Sequence, residues 1–250
     1  MLGLKKDLIK NNNQKTNTVC NNLDNSAHFS KNKNDLTDGQ GEKALPVVYV
    51  FISSIPDCVL TDKDYESVYP NERAKEIIKC SSQKVRREKY LAWKLLSYAI
   101  ETVFKKKFID LNFSKSENGK WLCDGVEFSL SHSNGVIAVA VSSIPVGVDV
   151  ELIKEPKQGV IEKYLNDNER KKLQTICEKE RTEFLIATWS AKESLFKVAN
   201  KSSFAPSKYD SLSSLVKGVK IAVREDCYIV TTATDVEVTD VKYHYLGEVY

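Results

Sequence analysis

The chain has 250 residues, 42% of them hydrophobic, a formal net charge of +3 and a mean hydropathy of −0.36. No apolar run approaches the roughly 20 residues of a membrane span, and so slight a positive charge does not favour a nucleic-acid partner. No apolar signal segment follows Met1, and the six cysteines form no Cys-x-x-Cys motif. We therefore expect a cytoplasmic protein with reduced thiols and no zinc, with neither membrane nor nucleic acid among its partners.

The N-terminal segment differs in composition from the rest of the chain. It is rich in Asn and Lys, as in Asn11-Asn12-Asn13, and holds few large apolar residues after Ile9. Such a composition cannot build a hydrophobic core. We therefore expect residues 1–44 to be a disordered tail, with folded structure beginning at residue 45.

The folded part contains two successive runs of helices followed by strands. The first run is predicted as a buried strand over 45–52, a short basic helix over 71–80, a long helix over 83–105 with its N-cap at Ser81-Ser82, and antiparallel strands over 126–130, 136–141 and 146–153. The Asn134-Gly135 pair predicts a turn, within 131–135, between the first two of those strands. The second run is predicted as helical segments over 158–178 and 179–200 and strands near 218–224, 227–233 and 239–246. This order predicts an α+β fold.

The third strand of the first run carries two neighbouring carboxylates. Val148, Val150 and Leu152 alternate with Asp149 and Glu151, so the two acids project from the same face of the strand. Paired carboxylates repel each other unless a cation lies between them. Oxygen ligands of this kind suit Mg²⁺, which typically takes one or two carboxylates and completes its coordination with water and phosphate. A solvent-exposed strand face is the alternative explanation of the pair.

A downstream helix offers a third carboxylate. In the segment from Trp189 to Lys197, residues Trp189, Glu193 and Lys197 lie four apart and share one helix face. The aromatic residue indicates that this face is buried, and a buried carboxylate needs a partner. Glu193 is therefore a candidate third ligand of the same ion. An ordinary ion pair between Glu193 and Lys197 explains the spacing as well.

Four motifs, taken together, resemble one enzyme family. They are Gly147-Val148-Asp149-Val150-Glu151, the helix Trp189-Ser190-Ala191-Lys192-Glu193-Ser194-Leu195-Phe196-Lys197, Phe128-Ser129-Leu130-Ser131-His132-Ser133 and Glu117-Asn118-Gly119-Lys120. Their order and types resemble the 4′-phosphopantetheinyl transferases, in particular the larger, two-lobed type that activates peptide synthetases. The resemblance implies two similar α+β halves, 45–153 and 154–250, related by a pseudo-two-fold axis. Each half would have a small antiparallel sheet and a long packed helix.

The resemblance also implies a reaction and its participants. The enzyme, a holo-[acyl-carrier-protein] synthase of class EC 2.7.8.7, would transfer the phosphopantetheine arm of coenzyme A to a serine of an apo acyl or peptidyl carrier protein, releasing 3′,5′-ADP. A monomer would act with Mg²⁺ as cofactor, and Asp149, Glu151 and Glu193 would hold the ion. Which pathway the carrier protein belongs to is not implied.

Family roles in coenzyme A binding carry over to five further positions. By the resemblance, Ser131 and His132 would contact the nucleotide phosphates, and Lys120 and Arg87 would line the adenine and phosphate pocket. Lys75 falls where the family has a lysine for the 3′-phosphate. The chain departs from the family at two nearby positions: Glu72 replaces a second lysine, with Arg73 beside it, and Trp121 replaces a proline. These departures concern the nucleotide pocket and leave the acidic residues unchanged.

The chemistry assigns two catalytic residues. Lys197, one turn beyond Glu193, is placed to stabilise or protonate the leaving phosphate, and Glu151 is our candidate base for the serine hydroxyl. Two rival functions use the same residues. One is a different Mg²⁺-dependent phosphohydrolase. The other is a non-catalytic module that binds coenzyme A or a carrier protein.

Overall fold

The computed structural model describes residues 46–56, 58–213, 220–224, 228–236 and 240–248. The tail predicted for residues 1–44 lies outside the described residues. Within them, no helix is both long enough and apolar enough to cross a membrane.

Two long helices and several short ones make up the helical part of the described chain. The helices are α1 (Asp62–Glu66), α2 (Asn71–Ile78), α3 (Gln83–Phe104), α4 (Gln158–Tyr164), α5 (Asp167–Gln174) and α6 (Glu178–Ala199). As predicted, Ser82 caps α3, where its side chain accepts a hydrogen bond from the backbone N–H of Val85. The helix predicted over 158–178 is instead two short helices. The second begins at a capping box between Asn166 and Glu169.

The strands form two sheets and a separate hairpin. They are β1 (Val47–Ser54), β2 (Phe113–Lys115), β3 (Trp121–Cys123), β4 (Glu127–Ser133), β5 (Val136–Ser142), β6 (Val146–Leu152), β7 (Lys220–Arg224), β8 (Tyr228–Thr234) and β9 (Asp240–Glu248). One sheet has the order β4-β5-β1-β9, the other the order β6-β8-β7, and β2 pairs with β3. All these pairings are antiparallel except that of β9 with β1, which is parallel. The α+β class is confirmed, whereas the pseudo-two-fold arrangement stays a prediction.

Two strands pair differently from the predicted order. The sequence places β6 as the third strand of the first meander, but β6 pairs with β8, in register from Val146↔Thr234 to Leu152↔Tyr228. The strand β9, placed by the sequence with β7 and β8, pairs with β1. The division of the chain at residue 153 stays a prediction, although these pairings cross it.

The core explains why the strands are distributed in this way. Apolar side chains of β1, β5, β6 and β8 form one buried cluster between the two sheets. The opposite face of the first sheet, including Phe51, packs on α3 around Trp93 and Leu96. The strand β1 is therefore buried on both faces. It pairs with β5 along one edge and with β9 along the other, so it is an interior strand of its sheet.

The hairpin between β4 and β5 is tighter than predicted. Asn134 and Gly135 both have positive φ, 44° and 91°, as a two-residue hairpin turn requires. The strand β4 therefore continues to Ser133, so Ser131 and His132 lie on the strand instead of in the turn. Successive side chains of a strand point to opposite faces, and the neighbours Ser131 and His132 accordingly meet different partners.

Gly147 allows α6 to lie unusually close to β6. A Cβ atom at this position would lie 1.9 Å from the carbonyl oxygen of Ser194 and 3.1 Å from Val198. The side chain of Ser194 fixes the same crossing, because it donates to the carbonyl oxygen of Thr231 at 3.1 Å. Close approach at Gly147 thus brings the acidic residues of β6 next to those of α6.

We expect Gly147→Ala to lower the free energy of unfolding by about 1–3 kcal/mol, because the added methyl group must displace helix backbone and not a flexible side chain. Urea unfolding measures this change. Gly159→Ala is the matched control, since no atom lies within 4 Å of the Cβ that it would add. Equal stability of the two variants would contradict the close approach.

Candidate functional site

A row of serines on β4 connects that strand to β6. Ser129 accepts a hydrogen bond from the backbone N–H of Val148 at 3.0 Å. Ser131 donates to Asp149 Oδ1 at 2.8 Å, and Ser133 donates to Glu151 Oε2 at 2.9 Å. The three hydroxyls therefore lie on one face of β4 and hold the acidic strand in place. The sequence analysis gave no role to Ser129 and Ser133, although serine at every second position of a strand indicates a polar face.

Asp149 is the most buried carboxylate of the site, with 3% of its surface exposed. Its Oδ1 atom accepts hydrogen bonds from Ser131 and from Lys197 Nζ, the latter at 2.9 Å. Its Oδ2 atom is buried and has no hydrogen-bond partner among the described residues. An unpaired buried carboxylate oxygen costs about 1–3 kcal/mol. This oxygen is the observation that best fits a bound cation.

Glu151 and Glu193 belong to the same electrostatic group. Burial first, and then the negative charge of Asp149, raise the pKa of Glu151, although Ser133, Trp189 and Lys197 oppose this shift. Burial also raises the pKa of Glu193; Lys197 opposes it, and Asp149 and Glu151 add to it. The three carboxylates thus lie near enough to repel one another.

Lys197 is the cation that partly balances these charges. Its Nζ atom lies 2.9 Å from both Asp149 Oδ1 and the carbonyl oxygen of Val148. The sequence predicts an i,i+4 pair of Lys197 with Glu193, but the structure pairs Lys197 with Asp149. The strand β6 therefore holds the ammonium of Lys197 against the buried Asp149.

The carboxylates are neighbours but are not gathered around a common point. In the part of the chain that the structure describes, no three His, Cys, Asp or Glu side chains are close enough together to hold a metal ion as they stand. The donor set still fits Mg²⁺: three carboxylates, one bare buried oxygen and mutual repulsion that a divalent cation would relieve. The assignment of Asp149, Glu151 and Glu193 as ligands stays a prediction.

A pocket of about 390 Å³ opens beside this acidic group. Its lining comes from α2, the turn before β3, β4 and the C-terminal end of α6: Arg73, Asn118, Gly119, Lys120, Trp121, Phe128, Ser129, Leu130, Phe196, Lys197, Asn200, Lys201 and Ser202. A second pocket, of about 340 Å³ near Tyr69 and Asn112, contains none of the predicted site residues. The pocket next to Lys197 is therefore the one that can serve the acidic site.

Lys120 lies in the wall of this pocket, and its role in binding adenine and phosphate stays a prediction. It follows a tight turn at Gly119, which has a φ of 78°, and its Nζ atom donates to the carbonyl oxygen of Lys197 at 3.2 Å. Burial lowers the pKa of Lys120. Beside it, the indole N–H of Trp121 donates to Glu76 Oε2 at 2.9 Å, and the ring forms part of the wall. The residue that replaces the family's proline thus contributes an aromatic surface.

His132 faces α3, away from Asp149. Its Nδ1 atom lies 3.3 Å from Glu88 Oε2. Burial lowers the pKa of His132, Glu88 opposes that shift, and Lys197, Lys89 and Arg73 add to it. With Nδ1 paired to Glu88, the Nε2 atom is left for a ligand, and it can donate a hydrogen bond to an anion only when the imidazole is protonated. The positive charges of Lys197, Lys89 and Arg73 around it would favour an anion there.

Lys75 and Arg87 are not in the pocket lining. Lys75 is exposed on α2, whereas Arg73, two residues earlier on the same helix, is buried and lines the pocket. Arg87 is half-buried at the start of α3, where its charge acts on Tyr65. Its neighbour Arg86 donates to the carbonyl oxygens of Ile78 and Cys80 and thereby closes the end of α2. The roles assigned to Lys75 and Arg87 stay predictions.

A buried ion pair anchors the helix that carries Glu193. Lys192 Nζ lies 2.6 Å from Glu169 Oε2, and both side chains are fully buried. Lys192 also donates to the carbonyl oxygens of Tyr164 and Pro206, and Ser211 donates to Glu169 Oε1. Sequence reasoning gave Lys192 no role. The sequence did contain a signal for this role, because a lysine inside a helix predicted to be buried needs a charge partner.

Comparison with known proteins finds sequence similarity over the segment that carries the site. Residues 145–218 match the family model of the 4′-phosphopantetheinyl transferase superfamily. The matched segment contains β6 and α6, and therefore all three carboxylates and Lys197. Similarity to individual proteins is moderate. The chain is 33% identical over 95 residues to 4′-phosphopantetheinyl transferase gsp of Aneurinibacillus migulanus. This aligned segment covers 38% of this chain and 40% of the relative.

Two proteins of Bacillus subtilis align over longer segments. The chain is 30% identical over 110 residues to 4′-phosphopantetheinyl transferase ffp, which is 43% of this chain and 49% of the relative. It is 31% identical over 136 residues to another 4′-phosphopantetheinyl transferase, 51% of this chain and 60% of the relative. The alignments thus span 40–60% of the length of these relatives. The resemblance that the sequence motifs predict is confirmed.

Proposed function

We propose that this chain is a 4′-phosphopantetheinyl transferase, which transfers the phosphopantetheine arm of coenzyme A to a serine of an apo acyl or peptidyl carrier protein. The observation that carries the proposal is the acidic group Asp149, Glu151 and Glu193, whose partner Lys197 also lines a cationic pocket. Phosphoryl transfer between two bulky substrates requires such a site. The likeness to named transferases over this segment supports it.

The reaction exchanges the phosphoanhydride bond of coenzyme A for a phosphate ester of the carrier protein's serine. The serine oxygen of the carrier protein attacks the β-phosphorus of coenzyme A, and the bond from that phosphorus to the bridging oxygen breaks. The bridging oxygen leaves with 3′,5′-ADP. When bound by Asp149, Glu151 and Glu193, Mg²⁺ would neutralise the negative charge of the pyrophosphate.

Two side chains of the site handle protons and charge. Glu151 takes the proton of the attacking serine. A hydrogen bond from Ser133 to Oε2, 2.9 Å long, holds this carboxylate in place beside Asp149. Lys197 stabilises the negative charge that develops on the leaving group, and Asp149 and the carbonyl oxygen of Val148 hold its ammonium in position.

The rival functions are separated by the products formed. Chromatography of coenzyme A incubated with the protein and Mg²⁺, with and without an apo carrier protein, should show 3′,5′-ADP only when the carrier protein is present. Release of phosphate or of free phosphopantetheine without a carrier protein would favour a phosphohydrolase. Binding of coenzyme A without any product would favour a non-catalytic module.

A metal-binding prediction concerns Glu193. We expect Mg²⁺ at 100 times its dissociation constant to stabilise the wild-type protein by about 2.7 kcal/mol, and Glu193→Gln to lose this gain. Without metal, the variant should melt no lower than the wild type, because burial and two neighbouring carboxylates raise the pKa of Glu193 and disfavour its charged form. Differential scanning calorimetry with and without Mg²⁺ measures both effects.

The matched control for that experiment is Glu183→Gln, at an exposed position of the same helix. It should keep the full Mg²⁺-dependent rise in melting temperature. An undiminished rise in Glu193→Gln would exclude this carboxylate from the ion's ligands.

A further inference from the structure

The wall of the pocket beside Lys197 carries an excess of positive charge. Its charged residues are Arg73, Lys120, Lys197 and Lys201, and its lining contains no acidic side chain. Lys197 is already bound to Asp149, but the charges of the other three have no carboxylate within the wall. A concave surface of one charge concentrates ions of the opposite charge. The pocket is therefore suited to a ligand with several negative charges.

Arg73 is the cation of this wall with the most constrained surroundings. Only 9% of its surface is exposed, and its guanidinium carbon lies 4.8 Å from the centre of the Trp93 ring. Its Nη1 atom lies 3.2 Å from Glu76 Oε2. Its Nε atom is buried and has no hydrogen-bond partner within the described ranges. Leaving a buried donor unpaired is unfavourable, so this side chain can gain a hydrogen bond from an acceptor in the pocket.

The carboxylate beside Arg73 does not fully neutralise it. Glu76 also pairs with Lys115 and accepts the indole N–H of Trp121. One negative charge is thus shared between two cations, and a net positive charge remains at the pocket wall. The charge of Arg73 also reaches His132, whose pKa it helps to lower. Arg73 on α2 and His132 on β4 are therefore near enough to interact electrostatically.

Lys75 occupies a different face of α2. It lies two residues beyond Arg73, or roughly 200° around the helix, and it is exposed. Arg73 and the buried Ile77 are four residues apart and share the inward face. The structure thus directs Arg73 towards the pocket and Lys75 away from the helix's buried side.

We propose that Arg73 binds the 3′-phosphate of coenzyme A, the role that the family resemblance gives to Lys75. This inference rests on the proposed function, since it takes coenzyme A as the ligand. A guanidinium presents donors in a fixed, planar fork that matches phosphate oxygens. Stacking on Trp93 holds that fork in one orientation, so Arg73 would distinguish coenzyme A from the analogue that lacks the 3′-phosphate.

Isothermal titration calorimetry with coenzyme A and with 3′-dephospho-coenzyme A tests the proposal on full-length variants. We expect Arg73→Gln to weaken binding of coenzyme A by about ten- to a hundredfold, while binding of the dephospho analogue changes by less than about twofold. Arg73→Lys should fall between, because it keeps the charge and loses the fork. Lys79→Gln, at an exposed position just beyond the end of α2, is the matched control and should bind both nucleotides as the wild type does.

Three outcomes would contradict the proposal in different ways. If Arg73→Gln weakens both nucleotides equally, its role is only structural, through Trp93 and Glu76. If Lys75→Gln abolishes the discrimination and Arg73→Gln does not, the assignment from the family resemblance is right and ours is wrong, and the proposed function stands. If the wild-type protein binds neither nucleotide, the proposed function itself fails.

Discussion

Asp149→Asn is expected to reduce transfer of phosphopantetheine to an apo carrier protein by about a thousandfold or more. Asparagine keeps the shape of the side chain and can still accept a hydrogen bond from Ser131. It removes the negative charge that binds Lys197 and the bare oxygen that fits a cation. Initial rates at saturating coenzyme A, with and without Mg²⁺, measure the effect.

Two controls separate loss of chemistry from loss of fold in that experiment. Asp110→Asn, at an exposed position of a short 3₁₀ turn, should retain full activity. The melting temperature of Asp149→Asn should fall only modestly, because relief of the repulsion from Glu151 and Glu193 offsets part of the lost ion pair with Lys197. A correctly folded Asp149→Asn protein with more than about a tenth of wild-type activity would contradict a role for this carboxylate at the reacting phosphates.

Lys192→Met is expected to lower the free energy of unfolding by about 3–5 kcal/mol. Both partners of the pair Lys192–Glu169 are fully buried, so removing the ammonium leaves a carboxylate without its charge partner in the protein interior. The same change removes the bonds from α6 to the carbonyl oxygens of Tyr164 and Pro206. Urea denaturation, followed by tryptophan fluorescence, gives the difference in stability.

A double variant, Lys192→Met with Glu169→Leu, tests whether the loss comes from the unpaired carboxylate. It should recover much of the lost stability, since replacing both members of a buried pair by apolar residues costs less than breaking it. Lys171→Met, an exposed lysine of α5, serves as the matched control and should change stability by less than about 0.5 kcal/mol. A loss below about 1 kcal/mol in the single Lys192 variant would mean that the pair does not anchor α6.

Local patterns in the sequence predicted the elements that carry the site. The N-cap at Ser82 marks the start of α3, and Asn134-Gly135 marks the turn between β4 and β5. These signals involve residues within four positions of one another, so periodicity and turn preferences are sufficient. The alternation around Asp149 and Glu151 was equally local and gave β6 its correct faces.

Pairings between distant parts of the chain could not be predicted in this way. Nothing near Val146 indicates that β6 leaves the first sheet for β8, about 80 residues later in register. That choice depends on burial of β6 between the first sheet and α6, which only the assembled core determines. The same is true of Lys192, because its partner Glu169 belongs to another helix.

The assignment of Lys75 differs, because the sequence held the information to question it. Ala74 and Ile77 give α2 an apolar face, and Arg73 lies four residues from Ile77 on that face. Lys75 and Lys79 lie four apart on the other side and are both exposed. The family resemblance places the 3′-phosphate contact at Lys75, whereas our proposal, drawn from the geometry of α2, places it at Arg73.

Intact-mass spectrometry of apo carrier proteins tests the central claim most directly. A panel of acyl and peptidyl carrier proteins would be incubated with coenzyme A, Mg²⁺ and either the wild-type protein or Asp149→Asn. We predict that at least one carrier protein gains the mass of a single phosphopantetheine group with the wild type and stays unmodified with the variant. An unmodified panel with correctly folded wild-type protein, or equal modification by the variant, would contradict the account.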